Sequence, residues 1–251
     1  MSEQFGSIFL DLGVLLLKSG ENCDRIRTTM TRFASAYDFD PHITIGPKSV
    51  SLTLYDKNGI SVFSGIRSTP GHGVDFKIIS AINRLSWDIV KEILPLEELK
   101  NEVNKLRVSQ HYPRIVVLCF VSLAGAAFCY NFGGSNLEMI ITFGATFCGL
   151  FVKQQLLKYE INPYICTYLA AVTSTLFIGL FHMAGLTIKL ENAFSTCVLF
   201  LIPGVPLINS FTDLLDGNIL NGVVRGVNAL LFAFAIAFGL LTTLIIFNFN
   251  V

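Results

Sequence analysis

Only nine of the 137 residues from Ile115 to Val251 carry a charge, four basic and five acidic, whereas 27 of the 114 residues before them do. Soluble proteins average roughly one charged residue in four. The first segment therefore reads as an ordinary soluble domain. The second has too little charge to solvate a surface and must face lipid or protein instead. Across the whole chain the charges cancel, 18 basic against 18 acidic, which excludes a polybasic nucleic-acid binder and an acidic tail. A disordered chain, a secreted disulfide scaffold and a single soluble enzyme domain fit equally poorly.

The charge-poor half divides into apolar stretches of membrane-crossing length, which takes about 20 residues. They run 115–132, 137–157, 164–184, 193–211 and 226–247. Gly133-Gly134-Ser135-Asn136 closes the first, and Asn162-Pro163 opens the third. Gly144, Ala145 and Gly149 bring small residues to one region of the second, where close helix packing is expected. Five spans place the two ends of the chain on opposite sides. Arg107, Arg114, Lys153, Lys158 and Arg225 fall on one side, and Lys189 alone on the other. The excess of basic residues marks the inner side, so residues 1–114 are expected inside and the C-terminus outside. Phe5–Leu17 is apolar, but Asp11 interrupts it and no Lys or Arg precedes it, unlike a secretory signal.

Residues 1–114 predict a small α+β unit. Glu3–Lys18 carries a helical apolar stripe through Phe5, Ile8, Phe9, Leu12, Leu15 and Leu16, with Gly20 as its stop. A second helix is expected over Cys23–Tyr37 with Asn22 as N-cap. The period then changes to two. Val50, Leu52 and Leu54 alternate with polar residues, Asp56-Lys57-Asn58-Gly59 turns the chain, and Ile60, Val62 and Ser64 return it as a hairpin. His42–Ile45 adds a short strand. Helices over Asp75–Ile93 and Leu96–Val108 complete the unit. Gly71-His72-Gly73 lacks the Lys-Ser/Thr continuation of a phosphate loop.

Six Cys occur without a C-x-x-C pair, and the four His form no cluster, so neither a metal site nor any other cofactor is expected. No nucleophile–base arrangement suggests an enzyme.

The strongest local signal is Pro203-Gly204-Val205-Pro206 within the fourth apolar stretch. Prolines at membrane depth release carbonyls from helix pairing, which is tolerated only inside protein or beside water. Transporters use such broken helices to hold substrates and ions. Asn209, Ser210 and Asp213 follow the break on one helical face. An acid at this depth is a functional candidate by default, and Asp213 is the expected proton carrier. A helix simply ending in water is the other reading. Asn218, Asn221, Arg225 and Asn228 form a second polar stripe. Arg225 is open to three roles: binding a substrate carboxylate, anchoring the topology, or pairing with Asp213 or Asp216.

The run Pro203–Ser210 with Asp213, Gly217, Gly222 and Arg225 resembles the signature of the threonine/serine exporter (ThrE) family. Ser19-Gly20-Glu21 and Arg25 resemble its N-terminal domain, although Arg27 stands where members often carry an acid. The resemblance spans essentially the whole chain, and the length is that of the larger, YjjP-like subunit of the family's split form. It implies a helical polytopic membrane protein with an N-terminal α+β domain, lodged in a bacterial inner membrane. It implies proton-coupled export of threonine and serine, or of C4-dicarboxylates such as succinate. It also implies a smaller YjjB-like membrane subunit as partner. The substrate contacts expected are Pro203, Gly204, Asn209, Ser210 and Arg225. A regulatory subunit whose soluble domain senses metabolites is the alternative.

Overall fold

The computed structural model describes residues 2–69, 71, 73–107, 112–185 and 190–248. His72, Val108 and Lys189 lie outside them. The chain divides into two compact units, one of Met1–Gln110 with Gly204–Val227, the other of His111–Pro203 with Asn228–Val251.

In the first unit, α1 (Ser2–Lys18) and α2 (Cys23–Ala36) precede an antiparallel sheet. The sheet has strands β1 (Asp40–Gly46), β2 (Ser49–Tyr55) and β3 (Ser61–Ser68) in the order β1-β2-β3. Its register pairs Ile45 with Val50 and Ser51 with Ile66. β2 is central, and its period of two sends Val50, Leu52 and Leu54 into the core. α1 lies on that face, burying Phe5, Ile8, Phe9, Leu12 and Leu16. Gly6 leaves room for the Phe63 ring and Gly13 for the Met30 thioether. α2 covers the same core with Ile26, Met30 and Phe33.

The expected turn at Asp56 is present, with its carboxylate accepting the N–H groups of Asn58 and Ile60 at 2.9 and 2.8 Å. Ile60 belongs to this turn rather than to β3, and β3 runs on to Ser68. Pro41 stands in β1, an edge strand where a missing N–H is tolerated. Helix α3 (Phe76–Lys91) starts one residue later than expected, because Asp75 is its N-cap and accepts from Lys77 and Ile78 N–H. α4 (Leu96–Arg107) packs Leu99 and Val103 on the core.

The second unit contains α5 (Arg114–Asn131), α6 (Asn136–Lys158), α7 (Pro163–Met183), α8 (Leu190–Cys197) and a 3-10 turn (Leu199–Leu201). Ser135 and Glu138 cap α6 reciprocally, and Asn162 with Pro163 starts α7. The small residues of α6 do bring helices together. A Cβ on Gly149 would stand 2.8 Å from the Ala170 carbonyl oxygen and on top of the Ser174 hydroxyl, and one on Gly144 would stand 2.9 Å from the Phe177 ring. Between Gly204 and Phe247 lie α9 (Gly204–Leu215) and α10 (Ile219–Phe247). The part of α10 in the second unit is joined to α7 by hydroxyl and amide bonds: Tyr164 to Asn228 at 2.9 Å, Tyr168 to Thr242 at 3.1 Å and Thr175 to Thr243 at 2.6 Å. Such bonds join helices in lipid, where apolar contact offers no advantage over lipid tails.

Among the described residues, four helices, α5, α6, α7 and α10, are long and apolar enough to cross a membrane. The pair Glu191–Leu201 and Gly204–Leu215, interrupted at Ile202-Pro203, brings the number to five if it counts as one span. All six cysteines are free. Gly149→Val drives a branched side chain into the Ala170 backbone, and overpacking of this kind costs roughly 1–3 kcal/mol. A lowered thermal midpoint of the purified protein in detergent is the expected result. Gly204→Ala, with nothing within 4 Å of its added methyl, leaves that midpoint unchanged or slightly raised.

Candidate functional site

The break has a local cause. A residue before proline is pushed to extended backbone, and Ile202 takes φ −64°, ψ 125°, ending the 3-10 turn. Gly204 then opens α9, with Pro206 in its first turn, where a missing N–H costs no helix bond. α9 runs for 12 residues, and the two it buries fully are both polar, Ser210 and Asp213. Gly217, at φ +79°, reverses the chain, and α10 follows from Ile219. α9 and the start of α10 pack as a helical hairpin. Ser210 Oγ donates to the Gly222 carbonyl at 2.7 Å, and a Cβ on Gly226 would meet that hydroxyl at 2.8 Å.

The polar face of this hairpin meets the turn between α1 and α2. That turn follows from Gly20, at φ +84°. The N–H of Gly20 bonds the Leu17 carbonyl and that of Glu21 bonds the Leu16 carbonyl, the Schellman arrangement that ends a helix. Asn22 then caps α2 by accepting from Arg25 N–H at 2.8 Å. The first N–H groups of a helix lack intrahelical partners, and that of Cys23 donates to Asp213 Oδ1 at 2.8 Å. Asp213 is completely buried. Its other oxygen stands 3.2 Å from Arg225 Nη1, while Arg225 Nη2 donates to the Glu21 carbonyl at 2.7 Å. Asn209 donates to the Gly20 carbonyl at 2.6 Å, and Asn221 to the Ile45 carbonyl at 2.8 Å. Arg27 on α2 donates to Asn218 at 3.0 Å.

Asp213 thus meets a cation and the positive end of a helix at once. Its charge acts on Cys23 in turn. Burial first, and the neighbouring carboxylate second, push the thiol up to about 12. Beyond the ion pair, Asp213 Oδ2 and Arg225 Nη1 make no hydrogen bond. Asn218 Nδ2 and Asn221 Oδ1 also lack one. Asn218 Nδ2 and Asn221 Oδ1, at the start of the helix that carries Arg225, thus leave one donor and one acceptor buried without a hydrogen bond.

Of the residues the sequence singled out, Asn209, Asp213 and Arg225 come together. Of the three roles open to Arg225, the pairing is with Asp213, while Asp216 is exposed. Ser210 is buried against the helix hairpin, with its hydroxyl engaged by a backbone carbonyl. Gly204 is exposed, and Pro203 falls in the other unit. Asn228, fourth in the polar stripe, also falls there and bonds Tyr164. The backbone of Gly20, Glu21, Cys23 and Ile45 carries no side-chain signal for these contacts. The glycine stop and Asn22 cap were the available hint. No group of three or more metal-ligating side chains occurs among the described residues.

Removing either member of the buried pair strands the other, at a cost of roughly 3–5 kcal/mol, more than a surface pair is worth. Asp213→Asn and Arg225→Gln should each lower the thermal midpoint. The double variant should recover part of the loss, because it leaves no lone charge. Strict additivity in this double-mutant cycle would mean the two side chains do not interact.

A family model described as "Putative threonine/serine exporter" matches residues 7–247. The chain is similar to a protein of Escherichia coli (strain K12) named "Probable succinate transporter subunit YjjP", 25% identical over 95% of this chain and 93% of that protein. A protein of the same name from Klebsiella aerogenes is 23% identical over 92% of this chain and 89% of that protein. No solved structure matches the chain.

Proposed function

The chain belongs to the threonine/serine exporter family, and from that premise we propose that it is one subunit of a proton-coupled exporter of small carboxylate metabolites. The family is one of transporters, not enzymes, and the apolar helices fit a multi-pass membrane protein. The substrate class we assign is C4-dicarboxylates such as succinate, with threonine or serine as the other candidates. The relatives' printed name supports a dicarboxylate and a partner. We take the partner to be a smaller YjjB-like membrane subunit. The location we assign is a bacterial inner membrane, with residues 1–114 cytoplasmic and the C-terminus periplasmic, following the basic residues.

One observation carries the reading: a fully buried carboxylate paired with an arginine beside idle hydrogen-bonding groups. The planar fork of Arg225 suits a carboxylate. A substrate carboxylate that engages Arg225 removes the cation neutralising Asp213. Asp213 then takes up the coupling proton. Asn209 adds an amide beside the path. Ser210 fixes the hairpin that positions them.

A second reading has its own observation. A cleft of about 370 Å³ between α1 and α4 is lined by Asp11, Lys100 and Arg107, among others, and Arg67 and Arg107 both pair with Asp11. A cytoplasmic metabolite sensor would use such a cleft. The two readings separate on labelled succinate and threonine efflux from intact cells, with and without the co-expressed partner. Asp213→Asn is expected to cut efflux at least tenfold at equal protein level. Undiminished efflux in that variant, together with loss of efflux on reversing Lys100 to Glu, selects the sensor.

A further inference from the structure

We propose that the Gly20–Cys23 turn is a releasable wall of this site: the charge on Asp213 holds the N-terminus of α2 in place, and a proton on Asp213 or a carboxylate on Arg225 frees it. The inference rests on the export reading for its trigger.

The attachment is polar. Three bonds join the hairpin to the turn, from Asn209 to the Gly20 carbonyl, from Arg225 to the Glu21 carbonyl, and from Cys23 N–H to Asp213. Each runs from one side chain to backbone, so the turn supplies no charge of its own to any of them. The large apolar side chains of α9, Ile208, Phe211, Leu214 and Leu215, are exposed instead. Apolar contact is indifferent to protonation. A charge-assisted contact loses much of its strength when the charge goes.

The ionisable groups around Asp213 are few. Arg225 faces it from α10 and the Cys23 thiol from α2, while Arg27 acts on that thiol and bonds Asn218. Glu21 turns back within its own turn, where it accepts from Asn22 N–H and stands 3.6 Å from Arg25. Asp213 is therefore the group through which protonation acts. When it is neutral, Arg225 is left as an uncompensated cation, and the Cys23 N–H loses a charged acceptor at a helix N-terminus. When a ligand carboxylate takes Arg225, the Glu21 carbonyl loses its donor as well. Each event undoes one of the three bonds, and the two together leave only the bond from Asn209.

Cys23 reports the state of the wall. Its side chain is fully buried, and its raised thiol suppresses the reactive thiolate. The experiment uses the full chain co-expressed with its partner, with Cys119, Cys129, Cys148, Cys166 and Cys197 replaced by Ala. The rate of N-ethylmaleimide reaction is measured in membrane vesicles at fixed pH. Asp213→Asn is expected to speed labelling at least tenfold. Saturating succinate is expected to do the same with Asp213 intact, while Asp213→Glu, which keeps the charge, stays slow. A second chain with Cys23 also replaced and Met30→Cys in the core reports general loosening. Unchanged labelling at Cys23 in Asp213→Asn overturns the proposal, as does an equal rise at position 30. Efflux measured on the same chains separates the two ideas. Export with labelling indifferent to Asp213 sinks the wall alone, and switchable labelling without export of either substrate sinks the export reading alone.

Discussion

The contact between the Asp213 carboxylate and the first N–H of α2 is the interaction on which the first unit's site depends. It places a charge where a helix offers partial positive charge and an unpaired donor. It also fixes Arg225, which reaches Asp213 with one nitrogen and the Glu21 carbonyl with another. Without the carboxylate, the guanidinium would lie beside a carbonyl and a helix N-terminus, one attractive and one repulsive. The glycine that ends α1, the asparagine that caps α2 and the proline break before α9 all serve this meeting. Gly20 turns the chain so that its carbonyl and that of Glu21 point outward as acceptors. Pro203 and Pro206 end one helical segment and begin another at the distance from Asp213 that puts Asn209 one turn before it.

This meeting also explains why residues Gly204–Val227 form one compact unit with Met1–Gln110. The segment is apolar by composition, yet its inward face is Asn209, Ser210, Asp213, Asn221 and Arg225. Such a face finds its partners in exposed backbone groups, which turns and helix ends supply and uninterrupted transmembrane helices do not. From Asn228, the last residue of the polar stripe, the same continuous α10 belongs to the second unit and bonds α7 through Asn228, Thr242 and Thr243.

Much of the fold was legible in periodicity and punctuation. The stripe from Phe5 to Leu16, the alternation from Val50 to Leu54, Asn22 as a cap, Asn162-Pro163 as a helix start and Gly149 as a packing site are all local signals, and local physics decides them. The site was legible only in part. Asn209 and Asp213 share a face because their spacing is helical, and the Arg225–Asp213 pair stood among the alternatives. The other half of the site is main chain. Cys23 N–H is 190 residues away from Asp213, and a backbone donor has the same sequence signature everywhere. Ser210 shows the converse. Its place on the polar face was legible, but its hydroxyl turns to Gly222, because a glycine there lets the helices approach closely enough for the bond.

The charge-poor half contains five acids, and two of them are buried, Glu138 and Asp213. Both solve the problem of a buried carboxylate in the same way, by meeting a helix N-terminus. Glu138 caps its own helix, accepting from Ser135 N–H at 2.7 Å. Its partner is three residues away, so the contact survives any motion that leaves α6 intact. Asp213 caps a helix from a different part of the chain, so its contact exists only while two separate elements stay together. It also shares its charge with Arg225. The same chemistry is thus a fixed cap in one case and a conditional bond in the other. Sequence separation makes the difference, and a conditional bond between a buried acid and a helix terminus is the kind that proton uptake can break.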